Sequence, residues 1–144
     1  MPAGLKLRAI DADDLAVIST ILQDALVPVA EMAFLPAERH FVLVLNRFRW
    51  EPDAGGKREN YERTLTGLCI DGVARVQRRG FSPADGERIL VLLALRAEGR
   101  AIFLDFSGGS SIRLDTDGID CRLDDIGEPW PTQWRPRHEV AERE

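Results

Sequence analysis

Residues 88–106, RILVLLALRAEGRAIFLDF, decide the fold class of this chain. Two apolar runs, 89–95 and 101–106, flank a turn that contains Glu98 and Gly99. A short apolar run bounded by turn residues is typical of a buried strand, and a glycine turn between two such runs predicts a hairpin. The sequence therefore predicts an antiparallel sheet, with the run 89–95 covered on both faces.

Further strand signals continue the pattern along the chain. Their approximate bounds are 5–10, 31–35, 40–50, 63–70, 73–79, 112–114 and 119–123. The Asp-Gly pairs at 71–72 and 117–118 have hairpin-turn composition, although a bulge within one long strand is an open alternative at 71–72. Residues 41–45 are apolar at every position, whereas 46–50 alternate, so we expect the first half to be covered on both faces and the second half on one.

Only residues 11–26 have the period of a helix. Asp11 is a candidate N-cap, and two further acidic residues follow in the first turn, where the helix dipole favours them. Pro28 disfavours helical geometry at the residue before it, so the helix should end there. We expect the apolar stripe to pack on the strands 41–45 and 89–95. The stripe comprises Leu15, Ile18, Ile21, Leu22, Ala25 and Leu26.

One helix about 10 Å wide covers only two or three strands that are ~4.8 Å apart. The remaining strands need a curved sheet, a half-barrel or a second sheet to bury their apolar face. The fold class predicted is α+β, with one N-terminal helix packed on a curved, mainly antiparallel sheet. A small barrel of the pleckstrin-homology type is the alternative, although its helix usually lies at the C-terminus.

The last part of the chain has a different composition. We expect residues 1–127 to form a single globular domain. The proline-rich tail 128–144 should be extended, with a frayed end. Within that tail, Trp130 and Trp134 either cap the open edge of the sheet or anchor a partner.

The composition excludes several classes of partner. A net charge of −5 argues against nucleic acid. No apolar run approaches the ~20 residues that span a bilayer, and the start of the chain lacks a signal-peptide pattern, so we expect a cytoplasmic protein without a membrane partner. Cys69 and Cys121 should then be reduced. Arginine outnumbers lysine 17 to 2, which either a GC-rich genome or anion recognition would explain.

No motif in the chain carries chemistry that the sequence can identify. His40 and His138 are too few for a typical zinc site, and no base has an orienting partner at a telling distance. The acidic stretch 115–125 lacks the spacing of a calcium loop, and the loop 107–111 precedes no helix that would help it bind an anion. We therefore expect no catalytic residues, no metal and no cofactor.

Arginines on two predicted strands are the best candidates for a functional site. Strand alternation places Arg47 and Arg49 on one face, and Arg75 and Arg79 share a face with Arg78 opposite. If these strands pair, their ends gather guanidinium groups that would bind an anion or an acidic partner. A solvated face with acidic neighbours is the alternative.

Several segments together resemble a known family. They are 5–9, the stretch 23–25, the Met-Ala-Phe-Leu-Pro run 32–36, 41–50 with its Leu-Asn-Arg-Phe core, and Glu128-Pro-Trp130. On these the chain resembles domain-of-unknown-function family 2948, found mainly in alphaproteobacteria. The resemblance implies a cytoplasmic bacterial protein and supplies no activity, cofactor or catalytic residue.

Two functional hypotheses remain open. The first is a non-enzymatic interaction or accessory domain with a protein partner or self-association. The second is a small-molecule or anion-binding domain with a site at the mouth of the curved sheet, and catalysis at that site is left open. A flat apolar patch on an exposed strand would favour the first hypothesis, and a closed pocket containing Arg47, Arg49 or Arg75 would favour the second.

Overall fold

The computed structural model describes residues 4–48 and 61–132, and the side chains of 4–48 and 63–126. This part of the chain forms one α-helix, α1 (Ala12–Ile21), and ten strands. The strands are β1 (Lys6–Ala9), β2 (Leu26–Pro28), β3 (Met32–Leu35), β4 (His40–Phe48), β5 (Tyr61–Asp71), β6 (Val73–Arg79), β7 (Ile89–Glu98), β8 (Ala101–Phe106), β9 (Ser111–Thr116) and β10 (Cys121–Thr132).

All ten strands belong to one antiparallel sheet. Its order is β1-β10-β5-β4-β2-β7-β8-β9-β6, and β3 pairs with β4 beside this path. The sheet is curved and does not close into a barrel. The predicted class, one helix on a curved antiparallel sheet, is confirmed, and the closed pleckstrin-homology alternative is wrong. The hairpins β3–β4 and β7–β8 are confirmed as well.

The helix is shorter than predicted. Asp11 caps it, as expected, by accepting a hydrogen bond from the Asp14 N–H at 2.8 Å. It ends at Ile21 because the chain turns at Asp24, whose φ is 67°. Ala25 then leaves the helical path, and its carbonyl accepts a bond from the Leu92 N–H at 2.9 Å.

The helix packs against different strands than the stripe predicts. Its main contacts are with β7, as expected, and with β1 in place of β4. Leu15, Ile18 and Leu22 are buried beneath it. The Ser19 hydroxyl accepts a hydrogen bond from the Leu95 N–H at 2.9 Å, next to the irregularity in the β7–β8 pairing. The helix therefore both covers the core and satisfies a backbone donor of β7.

The burial of β4 reverses the expectation for its two halves. From His40 to Leu45 buried and half-buried residues alternate, so this half has one covered face. Asn46 and Arg47 are both buried. Strand β3 pairs with the first half, and β2 pairs with the second half at Asn46.

The two Asp-Gly pairs form corners and not hairpins. β5 pairs with β4 and β10, whereas β6 pairs only with β9. The two corners lie side by side: the Asp71 N–H donates to the Asp120 carbonyl at 2.9 Å, and the Asp117 N–H to the Gly72 carbonyl at 3.3 Å. Gly72 has a φ of 75°, which L side chains rarely adopt. Two bent paths therefore carry the chain from one half of the sheet to the other.

The C-terminal segment departs from the predicted extended tail. Strand β10 runs on to Thr132 and pairs with the start of β5 after a register shift between Ile126 and Trp130. Prolines are tolerated in strands at edges and bulges, and the irregularity here fits that rule. Trp134 and His138 lie outside the described residues. No helix in the described ranges is long and apolar enough to cross a membrane.

Candidate functional site

Arg47 lies in the interior and not on a surface. Its side chain is fully buried, and its Nε and Nη2 atoms donate to the two carboxylate oxygens of Asp125 at 3.0 and 2.7 Å. Asp125 also accepts bonds from the Thr66 hydroxyl at 2.7 Å and the Leu5 N–H at 2.8 Å. These bonds connect β4, β5 and β10 with the residue that precedes β1. The Arg47 guanidinium therefore binds a carboxylate of its own chain.

The pKa of Asp125 reflects that arrangement. Burial alone would raise it, but the hydrogen bonds from Arg47, Leu5 and Thr66 and the charge of Arg47 outweigh burial and hold the pKa below its usual value. Asp125 is therefore ionised at neutral pH, as a bidentate pair requires.

Of the four arginines that the sequence places in one patch, the structure describes three, and it separates Arg47 from Arg75 and Arg79. β4 and β6 do not pair, so the condition for that patch fails. Arg47 is buried with Asp125, and Arg49 lies outside the described residues. Arg75 and Arg79 remain together on β6, where both are exposed.

β6 is an edge strand with a concentration of positive charge. Among the described strands it has one neighbour, β9. Arg75 and Arg79 share a face with Gln77, and Arg78 lies opposite, where burial lowers its pKa. Within the described part of the chain, none of these three arginines lies within ion-pair distance of a carboxylate. We call residues Val73–Arg79, with these three arginines, the β6 edge.

In the acidic stretch 115–125, carboxylates have cationic partners within the chain. This stretch, which the sequence analysis interprets as a solvated turn, covers the end of β9, the start of β10 and the segment between them. Its ion pairs are Arg113–Asp115, Arg39–Asp117, Arg8–Asp120, Lys6–Asp124 and Arg47–Asp125. The stretch therefore pairs with cations of its own chain, whereas the three arginines of the β6 edge pair with no carboxylate among the described residues.

A second group of polar residues, which the sequence analysis does not identify, lies on the outer face of the sheet. The His40 Nε2 atom is 2.9 Å from the Asp71 Oδ1 atom, and the Cys69 thiol donates to the same oxygen at 3.5 Å. Arg122 Nη2 lies 3.4 Å from Cys69 Sγ and 3.2 Å from that oxygen. We call His40, Cys69, Asp71 and Arg122 the outer-face cluster. Asp71 Oδ1 is its centre.

The cluster follows from strand register. His40 on β4 stands opposite Asp71 on β5, and Arg122 on β10 stands opposite Cys69. Cys69 and Asp71 are two residues apart and so point to the same face. Burial, followed by the hydrogen bond to Asp71, raises the pKa of the Cys69 thiol. The thiol is therefore protonated at neutral pH unless a cation displaces its proton.

An open groove adjoins this cluster. It has a volume of about 320 Å³ and crosses β4, β5 and β10 on the outer face. Gly67 lies in it, and a Cβ there would approach Ile126 Cδ1 at 3.3 Å, so the glycine keeps the groove open. Leu35, Leu65 and Ile126 are exposed apolar residues of the same face. The groove is open and contains none of the predicted arginines.

Both cysteines are free. Cys121 is buried, and burial raises its pKa to about 12. Cys121 and Cys69 lie on opposite faces of the sheet, because Cys121 stands opposite Ile70 and not opposite Cys69. Cys121 is therefore a core residue, whereas Cys69 is available for chemistry on the outer face.

The comparisons with known proteins place the chain without assigning it an activity. No curated protein and no solved structure matches it. One family model, described as "Protein of unknown function (DUF2948)", matches residues 5–138. Because this match covers most of the sequence, the chain belongs to the DUF2948 family.

Proposed function

We propose that this protein is a non-enzymatic interaction domain that binds an acidic, extended segment of a partner protein along the β6 edge. The observation that carries the proposal is the set of three arginines on β6 without carboxylate partners in the described chain, on a strand that has one neighbour among the described strands. The partner segment would add to the sheet as a strand, with main-chain hydrogen bonds for affinity and Arg75 and Arg79 for selectivity.

Charge makes this edge selective. The chain as a whole carries a net charge of −5, so the positive charge concentrated on β6 contrasts with the net charge of the molecule. Such contrast orients an acidic partner and repels it elsewhere. The competing explanation is that the arginines only prevent edge-to-edge association of the sheet, which is a common use of charge at edge strands. Binding measurements separate the two.

We infer a bacterial, cytoplasmic setting for this interaction. Two free cysteines support it, since exposed or half-buried thiols persist where thiols are kept reduced. Nucleic acid fits the edge less well than an acidic peptide, because the rest of the molecular surface would repel a polyanion.

A second candidate function is small-molecule binding in the outer-face groove. Its volume of about 320 Å³ lies at the lower end of the range for ligand sites. The groove lies on the outer face and not at the mouth of the curved sheet, so the location differs from the one that the sequence suggests.

The test of the main proposal is a titration with labelled seven-residue peptides in which glutamate alternates with valine, followed by fluorescence anisotropy. We expect saturable binding that weakens as salt is added, because screening acts on exposed charges. The double variant Arg75→Ala/Arg79→Ala should weaken binding roughly tenfold, since exposed ion pairs contribute up to about 1 kcal/mol each.

The matched control is Lys6→Ala/Arg8→Ala, which removes two positive charges from β1, the strand at the other end of the sheet order. It should leave binding unchanged. A peptide with N-methylated amides on alternate residues should not bind, because it cannot donate to the edge. Equal loss in both double variants, or binding of single-stranded DNA through the same arginines in place of the peptide, would overturn the proposal.

A further inference from the structure

We propose that His40, Cys69 and Asp71 form a binding site for a zinc-type divalent ion on the outer face of the sheet. The site is distinct from the β6 edge and independent of the interaction proposed there. One ligand-forming atom from each of the three residues lies within 4.8 Å of the other two. Imidazole, thiolate and carboxylate are the three ligand types that zinc uses in proteins.

The distances suit a tetrahedral ion after small side-chain rotations. Bond lengths of about 2.0–2.3 Å place the ligands of a tetrahedral zinc roughly 3.3–3.6 Å apart. In the structure, His40 Nε2 and Asp71 Oδ1 are 2.9 Å apart, and Cys69 Sγ and Asp71 Oδ1 are 3.5 Å apart. The residues stand on adjacent, paired strands, so the backbone already holds them in place.

A cation of the protein already lies at this position. The Arg122 guanidinium donates from Nη2 both to Cys69 Sγ and to Asp71 Oδ1. The cluster therefore attracts positive charge, and in the metal-free protein Arg122 supplies it. The Arg122 side chain is 47% exposed, so it has room to move into solvent when an ion replaces it.

Binding exchanges a proton for the metal. The divalent ion forms a bond to Cys69 Sγ, the S–H bond breaks, and the proton goes to solvent. His40 binds through Nε2 as the neutral ring with its proton on Nδ1, so a proton on Nε2 moves to Nδ1 through solvent, and Asp71 binds as a carboxylate. Water from the adjoining groove completes the fourth position, which leaves an open coordination site next to the space above Gly67.

This proposal departs from the expectation that histidine scarcity excludes a metal. The spacing of histidine, cysteine and aspartate along the sequence does not match a metal site. These ligands come from separate strands, β4 and β5, and the register of the two strands brings them together. The guanidinium of Arg122 and its cross-strand neighbour Arg8 both lower the affinity for a cation. We therefore expect a moderate affinity that removal of Arg122 increases.

The experiment is calorimetric titration of the tag-free full chain with Zn²⁺, and absorption spectroscopy with Co²⁺ as the probe. We expect one ion per chain and a thiolate-to-cobalt charge-transfer band. Cys69→Ser should abolish the band and weaken Zn²⁺ binding by at least roughly a hundredfold, the upper end of the loss for an outer-shell partner, because it removes a ligand itself. Arg122→Gln should strengthen binding severalfold, since it removes a competing charge.

Two controls keep the result interpretable. His138→Gln removes the other histidine of the chain and should leave both metals bound as in the wild type. Thermal melts without metal show whether each variant is folded, and Asp71→Asn provides a second ligand variant if Cys69→Ser is not. A cobalt spectrum without the thiolate band, Zn²⁺ binding unaffected by either ligand variant, or loss of binding in Arg122→Gln would overturn the proposal.

Discussion

At the scale of single residues, the ion pair of Arg47 with Asp125 makes the sharpest prediction for stability. Asp125→Asn should destabilise the protein by about 3–5 kcal/mol at neutral pH, because it leaves the buried guanidinium without this carboxylate. The pKa of Asp125 is lower in the folded than in the unfolded chain, so its contribution is complete above the usual aspartate value of about 4 and is lost as pH falls through the folded value. Urea unfolding between neutral and acidic pH measures both effects.

The variant and the wild type should therefore converge in stability as the solution is acidified. A double variant, Arg47→Met/Asp125→Leu, controls for burial, because replacing both charges by apolar groups costs less than removing one. Two results would show that the Arg47–Asp125 ion pair does not stabilise the fold. One is an Asp125→Asn variant as stable as the wild type at neutral pH, and the other is a difference in the free energy of unfolding that stays constant down to the lowest pH.

Individual residues also show why the candidate sites were hard to predict. The alternation of side chains along a strand is enough to predict that Arg75 and Arg79 share a face, and they do so in the structure. Arg47 obeys the same alternation, but nothing in its local sequence indicates that Asp125 meets it inside the sheet. The outer-face cluster depends on the register of β4 against β5, and the twelve residues 49–60 between these strands are too many for the sequence to fix that register. The available signal was a histidine at the start of one predicted strand, a cysteine near the end of another, and an aspartate in the turn that follows it.

At the scale of elements, we expect the buried side of the helix to stabilise the protein, although the helix packs on β1 in place of β4. Ile18 and Leu22 are 1% and 0% exposed beneath the helix. Truncation of either to alanine should cost about 2–5 kcal/mol through lost burial and the cavity that remains. Val17, which is 55% exposed, supplies the control, and Val17→Ala should change stability by less than about 0.5 kcal/mol. Thermal and urea unfolding of the three variants is the measurement.

Docking of the helix would be refuted if Ile18→Ala and Leu22→Ala behaved like Val17→Ala. A further variant, Ser19→Ala, separates packing from hydrogen bonding at the same interface. It removes the acceptor of the Leu95 N–H without opening a large cavity, so its effect should be smaller than that of Ile18→Ala.

The sequence predicts a helix, strand or turn well where neighbouring residues determine it, and poorly where contacts with distant parts of the chain determine it. The apolar runs of β7 and β8 and the cap at Asp11 depend on neighbouring residues, and the structure contains them. The end of the helix depends on Asp24, whose positive φ is stabilised by backbone bonds with β7. The Asp-Gly pairs favour a change of direction in either a hairpin or a corner, and only the pairing of β6 with β9 distinguishes the two.

At the scale of the whole molecule, the paired corners join the halves of the sheet. The chain passes from β5 to β6 and from β9 to β10 at neighbouring points, with backbone bonds between the two passages. The first half contains β4, β5 and β10, and the second contains β6, β8 and β9. Buried residues from both halves belong to one apolar core, so neither half has a separate one. The arginine-rich edge and the outer-face cluster therefore sit on a single body.

We accordingly expect the described domain to unfold in one cooperative step. Leu68→Ala on β5 and Leu104→Ala on β8 each remove a buried side chain from opposite halves. Each variant should shift the whole transition by about 2–5 kcal/mol without splitting it. Urea unfolding followed by circular dichroism, with amide hydrogen exchange read separately for β4–β5 and β8–β9, is the measurement.

Gly99→Ala, in the open β7–β8 turn at a φ of 58°, is the control for a local change, because its strain lies away from the core. If Leu104→Ala accelerated exchange in β8–β9 while β4–β5 kept the protection of the wild type, the halves would be separate folding units, and the corners would be linkers between them.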